Sequence, residues 1–150
     1  LVNTVKVISN DLKKYFNIPQ PRIVVTGLNP HAGDNGLIGK EEINIIDPVI
    51  TKLQSENINI RGPASADSLF SAGNTDSDIV ICMYHDQALI PIKTISNFSA
   101  INITLGIDVI RTSPDHGTAY QIAKKAIAEP SSLIRALIIA DQMAQRNARR

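Results

Sequence analysis

The sequence predicts an α/β fold with a largely parallel sheet flanked by helices. Short apolar segments rich in Ile and Val alternate with longer segments whose apolar residues recur at helical spacing. Stretches rich in Gly, Pro and Asn separate the two kinds of segment. Strands that alternate with helices are typical of parallel sheets, because a parallel neighbour is reached through a crossover connection. A length of 150 residues suits one domain or one lobe of a larger protein.

The first part of the chain is predicted to form a helix, a strand, a loop and a second helix. Residues 1–16 place apolar side chains at helical spacing, and "PRIVVTG" is typical of a short strand. The following "LNPHAGDNGLIG" has the composition of a loop. Residues 40–56 return to helical spacing with acidic residues in the first turn. We expect Pro48 to kink or split this helix.

The remainder of the chain is predicted to alternate in the same way. "INIRGPAS" indicates a strand and turn, and "SADSLF" indicates the start of a short helix. Residues Asp78–Tyr84 form an apolar run that predicts a buried strand. "AINITLGIDVIRTSP" predicts one strand, or two strands broken by Gly106. Two further helices are predicted, over "HGTAYQIAKKAIAE" and over "PSSLIRALIIADQMAQR", the second with Pro130 at its start.

Composition narrows the classes of function. The formal net charge of +1 provides no electrostatic case for binding nucleic acid or an anionic membrane. Cys82 is the only cysteine, so a disulfide within the chain is impossible, which favours a reducing compartment. No apolar stretch approaches the length of a bilayer span, and the N-terminus lacks the features of a signal peptide. We expect a cytoplasmic protein, and because the chain starts without Met in periodic sequence, a piece of a longer one.

The three histidines all lie in predicted loops or at strand ends. His31 follows the predicted strand "RIVVTG", His85 follows the predicted strand "DIVICMY", and His116 lies in "SPDHGTAY". Ligands of open α/β sheets bind at the C-terminal ends of the strands, so His31 and His85 are candidates for one crevice. Two imidazoles with a third ligand and an open position are how a catalytic Zn²⁺ is held. The alternative for each histidine is an ordinary loop or core residue.

Five further polar residues are candidates for a site. Asp86 and Asp67 are placed to move protons or orient an imidazole, and the alternative for each is a helix or turn cap. The cations Lys93 and Arg111 suit a carboxylate or phosphate group, and the alternative is a surface salt bridge. Asn102 is polar inside an apolar strand, so it needs a partner, either backbone or a substrate oxygen.

The sequence contains one candidate phosphate-binding loop and lacks several common catalytic and nucleotide-binding motifs. The loop before the predicted helix at "HGTAYQIAKK" is a candidate for holding a phosphate or nucleotide. The sequence contains neither GxGxxG nor GxxxxGK[ST], so the standard dinucleotide and P-loop motifs are absent. It also lacks GxSxG, and Cys82 lies inside an apolar run, which argues against serine and cysteine hydrolases.

Several long blocks together resemble the C-terminal half of the 4-hydroxythreonine-4-phosphate dehydrogenase family of pyridoxal 5'-phosphate biosynthesis. The blocks occur in order from Arg22 to the last helix, and they are "GLNPHAGDNGLIGKEE", "GPASADSLF", "MYHDQALIPIK" and "INITLGIDVIRTSPDHGTAY". The resemblance implies a fold like isocitrate and isopropylmalate dehydrogenases, with this chain as one lobe of a two-lobe enzyme. It further implies a homodimer whose sites are shared between subunits, with NAD and a divalent metal ion (Zn, Mg or Co) as cofactors.

The resemblance also implies roles for individual residues. His31 and His85 correspond to metal ligands, and the family's third ligand is a histidine of the N-terminal half. Substrate-binding residues of the family correspond to Lys93, Asn102 and Arg111. The stretch "DHGTAYQIAKKAIAEP" is similar to a nucleotide-binding loop of the wider dehydrogenase group. That similarity assigns His116, Gly117 and Thr118 to the cofactor, and it argues against His116 as the third metal ligand.

The resulting expectation is oxidation and decarboxylation of 4-phosphohydroxy-L-threonine to 3-amino-2-oxopropyl phosphate with NAD. Asp86 and Asp67 are the candidates for moving protons or orienting ligands, and the sequence does not assign one role to one residue. Two alternatives stay open. One is a truncated, non-catalytic remnant that only dimerises, and the other is a related dehydrogenase acting on another phosphorylated hydroxy acid.

Overall fold

The structure is a computed structural model that describes residues 1–71 and 76–149. It confirms an α/β fold in which helices alternate with the strands of a parallel sheet. The elements, in chain order, are α1 Val2–Tyr15, β1 Ile23–Thr26, α2 Asp47–Ser55, β2 Ile60–Ala64, α3 Ala66–Leu69, β3 Ile79–Ile81, α4 His85–Ser96, β4 Ile101–Thr104, β5 Arg111–Pro114 and α5 Ser131–Ala148.

Strand β1 is the centre of a three-stranded parallel sheet with the order β2-β1-β3. Ile23 at the start of β1 aligns with Ile60 of β2 on one side and with Ile79 of β3 on the other. All four residues of β1 are buried, as expected of a strand covered on both faces. The C-terminal ends of all three strands therefore lie at one edge of the sheet.

The main hydrophobic core lies between this sheet and the helices α1 and α2. Val5 of α1 and Leu53 of α2 are completely buried and belong to one cluster with Ile23 and Val25 of β1. These side chains recur at helical spacing in the helices and on a continuous apolar run in the strand. Full burial of one such side chain contributes about 1.5–3 kcal/mol, so the cluster stabilises the packing of both helices on the sheet.

The predicted interruption of the second helix at Pro48 is confirmed. Residues Glu42–Ile46 form a π-helical turn, and α2 begins at Asp47 with Pro48 in its first turn. Proline is tolerated there because the first N–H groups of a helix have no partner within the helix. The turn buries Glu42 beneath the loop that carries His31.

The strands β4 and β5 form a separate antiparallel hairpin. Gly106 lies in the connection between them, so the second expectation, two strands interrupted at Gly106, is confirmed. Helix α5 packs on this hairpin through buried Ala136, and the Thr112 hydroxyl donates to the Ala136 carbonyl oxygen at 3.0 Å. At the start of α5, the buried Ser132 hydroxyl donates to the Ala100 carbonyl oxygen at 2.5 Å and accepts from the Asp115 N–H at 2.9 Å. None of the helices within the described ranges is long and apolar enough to cross a bilayer.

The predicted strand over Asp78–Tyr84 is too long. Strand β3 covers only Ile79–Ile81, and a helix that the sequence did not predict, α4, begins at His85. Pro91 lies inside α4, and a proline within a helix removes one hydrogen bond and clashes with the preceding turn. Because of this proline and the irregular spacing of its apolar residues, the segment does not show the periodicity that predicts a helix.

The predicted helix over "HGTAYQIAKKAIAE" is wrong. This stretch contains only a short 3-10 turn over Tyr120–Ile122, and Ala119, Lys124 and Ala126 have positive φ angles. Nearly all of its side chains are exposed. Short helices in water are marginal unless an apolar face is buried against another element, and this segment has no such packing against residues 1–71 and 76–149.

Candidate functional site

The strand ends of the parallel sheet bring His31, Asp67 and His85 to the same edge. His31 follows the central strand β1, Asp67 lies in α3 directly after β2, and His85 begins α4 after β3. The two histidines are far apart in the sequence, but they follow strands that are paired neighbours in the sheet. The prediction that both histidines lie at the C-terminal edge of the sheet is therefore confirmed.

The loop that carries His31 is fixed at successive backbone positions. The Leu28 N–H donates to Glu42 Oε1 at 2.7 Å, and the Pro30 carbonyl oxygen accepts from the Ser65 hydroxyl at 2.6 Å. Asn29 Oδ1 accepts from the N–H groups of His31 at 3.0 Å and Gly33 at 3.1 Å. The rest of the Asn29 amide donates to a backbone carbonyl oxygen at 3.2 Å. The backbone that presents His31 is therefore well defined.

Each of the two histidines has a carboxylate beside its Nδ1 atom. His85 Nδ1 lies 2.7 Å from Asp86 Oδ1, and His31 Nδ1 lies 3.5 Å from Asp34 Oδ2. The histidine side chains are 77% and 64% exposed, respectively. A carboxylate on one ring nitrogen fixes the tautomer and leaves the other nitrogen, Nε2, to bind a metal ion. The donor chemistry therefore fits a divalent ion that prefers imidazole.

This chain offers only part of a metal-binding set. Among the described residues, no three His, Cys, Asp or Glu side chains come together as a group able to hold an ion. Two imidazoles supply half of a tetrahedral site, so further ligands would have to come from substrate, water or other residues. His116 lines a separate cavity with Lys93 and Glu129.

The carboxylates Asp67 and Asp86 line one surface cavity of about 350 Å³ together with Pro30, Tyr84 and Gln87. The pKa of Asp67 is lowered, first by the hydrogen bond from the Ser65 hydroxyl and then by the Ser68 N–H, which donates at 2.7 Å. The lowered pKa keeps Asp67 ionised at neutral pH, so its carboxylate is suited to accept hydrogen bonds, and it makes Asp67 a weaker base than an ordinary aspartate. Neither Asp67 nor Asp86 occupies the N-cap position, where Ser65 and Tyr84 lie.

The three candidate substrate-binding residues are distributed over α4 and the hairpin. The Lys93 ammonium group lies 3.1 Å from Asp115 Oδ2 and donates to the Asp115 carbonyl oxygen at 2.8 Å. Asn102 lines a cavity of about 560 Å³ that also contains Asp115. Arg111 Nη1 donates to Thr104 Oγ1 at 2.8 Å. Because Asn102 and Thr104 are two residues apart and Thr104 aligns with Arg111, Asn102 and Arg111 share one face of the hairpin.

The candidate cofactor residues His116, Gly117 and Thr118 lie in an exposed loop after β5. They line a cavity of about 720 Å³ with Ile122 and Ile127. His116 Nδ1 lies 3.1 Å from the Gly117 carbonyl oxygen. No α-helix follows this loop within residues 117–129, so the helix N-terminus on which the phosphate prediction was based is absent there.

Three residues that the sequence left without a role organise the site. Glu42 is 3% exposed and holds the Leu28 N–H, Ser65 holds the Pro30 carbonyl group, and Gln87 is buried between the strand ends. Glu42 and Ser65 carry no local signal, since each contact spans a long stretch of chain. Gln87 directly follows His85 and Asp86, and this position beside two candidate residues was the available signal.

Residues 1–140 match the family described as "Pyridoxal phosphate biosynthetic protein PdxA". The chain belongs to this family. A curated PdxA relative, 4-hydroxythreonine-4-phosphate dehydrogenase of Zymomonas mobilis, is 52% identical over 141 residues, which are 93% of this chain and 42% of that relative. The chain thus spans less than half the length of the curated PdxA proteins it matches.

Solved structures of dehydrogenases are similar to the structure of this chain. The crystal structure of 4-hydroxythreonine-4-phosphate dehydrogenase from Klebsiella pneumoniae is 39% identical, with a TM-score of 0.83, and covers 96% of this chain and 44% of that one. A terephthalate 1,2-cis-dihydrodiol dehydrogenase from Burkholderia xenovorans is 32% identical, with a TM-score of 0.72, and covers 93% of this chain and 44% of that one. Proteins named as dehydrogenases therefore share this architecture.

Proposed function

We propose that this chain is the C-terminal lobe of an NAD- and metal-dependent dehydrogenase that acts on 4-phosphohydroxy-L-threonine. The observation that carries the proposal is the position of His31 and His85 at one sheet edge, in a chain of the PdxA family. The names of the curated relatives support the substrate. An isocitrate-dehydrogenase-like fold with two lobes and a cytoplasmic location belong to the same proposal.

The proposed reaction is an oxidation followed by a decarboxylation. The secondary alcohol of the substrate loses a proton from oxygen and a hydride from carbon, and NAD⁺ is reduced to NADH. The β-keto acid that results loses CO₂ and leaves an enolate. Protonation of the enolate carbon gives 3-amino-2-oxopropyl phosphate, so the proton released in the first step balances the proton taken up in the last.

We assign His31 and His85 to a divalent ion (Zn, Mg or Co) through their Nε2 atoms. When bound, such an ion supplies positive charge that lowers the pKa of the alcohol and favours the enolate. Asp86 orients the His85 ring through the 2.7 Å contact at Nδ1. Because Asp86 is assigned to the His85 ring, Asp67, which lines the same cavity, is the candidate for accepting the alcohol proton.

Substrate anions are assigned to Lys93 and Arg111, with Asn102 as a hydrogen-bonding partner. Both cations already have partners, Asp115 for Lys93 and Thr104 for Arg111. An anionic group that reaches Lys93 has to compete with Asp115 or share the ammonium group with it. An arginine holds a phosphate or carboxylate through two parallel N–H groups. Nη1 of Arg111 donates to Thr104, so we assign this contact to its Nε and Nη2 groups.

NAD and a second subunit complete the proposed enzyme. The cavity at His116, Gly117 and Thr118 is assigned to NAD. The homodimer is supported by α5, whose outward side leaves four large apolar side chains about half exposed. These side chains are Leu133, Ile134, Leu137 and Ile138.

The proposal is tested by NADH production from 4-phosphohydroxy-L-threonine in the full-length protein, with and without a chelator. We expect turnover that the chelator abolishes and that added divalent metal restores. We also expect His85→Ala to abolish turnover while circular dichroism shows an intact fold. Near-normal turnover in this variant would remove the metal role of His85, and turnover that resists chelation would remove the metal altogether.

The Burkholderia xenovorans neighbour favours a second candidate, a related dehydrogenase with another substrate. That protein is named for a cis-dihydrodiol, although it shares 32% identity and the same architecture. Competing the two substrates in the same assay separates the candidates. A kcat/KM for the phosphorylated amino acid that exceeds the value for the diol supports the leading proposal, and the reverse order supports the second.

A further inference from the structure

Gln87 joins the two segments that carry His31 and His85. Its side-chain oxygen accepts from the Met83 N–H at 2.8 Å and from the Thr26 hydroxyl at 2.6 Å. Its side-chain nitrogen donates to the Gly27 carbonyl oxygen at 2.9 Å. Gln87 is 8% exposed and Thr26 is fully buried, so these hydrogen bonds are shielded from water.

The partners of Gln87 lie where the chain leaves the sheet toward each histidine. Thr26 is the last residue of β1, and Gly27 begins the fixed loop that leads to His31. Met83 precedes His85 by two residues, and Gln87 follows it by two, within the first turn of α4. One rigid amide therefore holds the exit of β1 against the turn that begins α4.

We propose that Gln87 is the positioning residue that sets the distance and orientation of the His31 and His85 imidazoles relative to each other. The inference rests on the proposed function, in which both rings bind one divalent ion. An amide is suited to this role because it offers an acceptor to two donors and a donor to a carbonyl group on one planar unit. A carboxylate would place an oxygen against the Gly27 carbonyl oxygen, and an apolar side chain would leave buried polar groups unpaired.

Gln54 provides a matched control. Its side-chain nitrogen also donates to a backbone carbonyl oxygen, that of Ile60, at 2.9 Å. This bond ties α2 to the first residue of β2, at the edge of the sheet opposite the histidines. Replacement of either glutamine by Met keeps a similar length and removes the polar atoms. The chemical change is the same in both variants, while Gln87 loses three hydrogen bonds and Gln54 loses the one to Ile60.

The test is Co²⁺ binding to the full-length protein, followed by the visible absorption of the bound ion. We expect Gln87→Met to raise the Kd for Co²⁺ by about 10–100-fold, the range for partners that orient metal ligands, and to change the shape of the spectrum. Gln54→Met should leave the Kd within about twofold and the spectrum unchanged. An unaltered Kd and spectrum in folded Gln87→Met, or an equal effect of Gln54→Met, overturns the proposal.

A second variant and a metal-free readout keep the outcomes distinct. If Gln87→Met does not fold, Gln87→Glu, which keeps the acceptor and loses the donor, takes its place, and failure of both to fold overturns a separate positioning role. If the wild-type protein binds no Co²⁺, or His31→Ala and His85→Ala leave the Kd unchanged, the proposed metal function fails instead. The imidazole NMR signals then decide: shifts of both His31 and His85 with His116 unchanged support positioning by Gln87, and unshifted signals overturn it.

Discussion

At the scale of single residues, the carboxylate of Glu42 organises the loop that presents His31. Oε1 accepts from the Leu28 N–H, while Oε2 is buried without a hydrogen-bond partner among the described residues. A buried carboxylate oxygen without a partner is unfavourable, and the rest of the fold has to offset that cost. Gly33 leaves the space that this oxygen occupies, because a Cβ atom there would lie 2.7 Å from Oε2.

We predict that Gly33→Ala destabilises the protein. Gly33 has a φ of +78°, a conformation that alanine adopts only with strain, and the added methyl group would collide with Glu42. We expect a loss of about 1–3 kcal/mol in the free energy of unfolding, measured by urea denaturation. Gly117→Ala is the control, because no atom lies within 4 Å of the added Cβ there. Equal losses in the two variants would contradict this account of the loop.

At the scale of elements, Arg22 and Asp78 fix the relative position of the starts of β1 and β3. Two nitrogens of the Arg22 guanidinium group, Nε and Nη2, donate to the two Asp78 oxygens at 3.1 and 3.0 Å. The backbone joins the pair, because the Arg22 N–H donates to Asp78 Oδ2 at 2.8 Å and the Asp78 N–H donates to the Arg22 carbonyl oxygen at 2.9 Å. The side-chain hydrogen bond from Arg22 is the main cause of a lowered pKa at Asp78.

We predict that this pair stabilises the protein at neutral pH and not in acid. Because the pKa of Asp78 is lower in the folded state than the unfolded value of about 3.9, its contribution is present above that value. The contribution disappears as the pH falls through the folded-state pKa and the carboxylate is protonated. Asp78→Asn should therefore lower the melting temperature at pH 7, and the difference from wild type should shrink below about pH 4.

The matched control is Asp141→Asn on α5, whose carboxylate accepts from the Gln145 side chain of the same helix. An exposed contact within one helix contributes only a few tenths of a kcal/mol, so this variant should melt close to wild type at both pH values. If the melting temperatures of wild type and Asp78→Asn differ by the same amount at low pH as at pH 7, the charge of Asp78 is not the cause of the stabilisation.

At the scale of the whole molecule, the chain carries two separate groups of candidate residues. The edge of the parallel sheet carries His31, His85 and the two carboxylates, whereas the region around Asp115 carries Lys93 and His116. The chain spans 42% of the length of its curated relatives. We therefore propose that a complete site combines these two groups with residues that this chain does not supply.

We predict that this chain alone binds divalent metal weakly. Two imidazoles supply half of a tetrahedral ligand set, and water has to fill the remaining positions. Calorimetric titration of the chain with Zn²⁺ should give an affinity weaker than micromolar, and the full-length protein should bind more tightly. A sub-micromolar affinity of the chain that is lost in His116→Ala would show that His116, and not an external residue, is the third ligand.

Much of the fold could be predicted because most of its helices and strands have clear local sequence patterns. The helices α1 and α5 repeat their apolar residues at helical spacing, and β1 is a short Ile-Val run between polar segments. The positions of His31 and His85 at one edge followed from the rule that parallel strands end on the same side. The roles assigned to Lys93, Asn102 and Arg111 came from resemblance to the family and stay predictions.

The amino-acid pattern thus determined which segments form strands and helices and which polar residues follow the strands. Packing decided the rest. The stretch over 117–129 has the local spacing of a helix and is not an α-helix, because no element in the described part of the chain buries its apolar face. Gln87 meets Gly27 across 60 residues, and the Gln87 side chain is buried only because β1 and β3 are neighbours. Periodicity reports local amphipathicity, whereas a hydrogen bond between distant segments exists only once the sheet has brought them together.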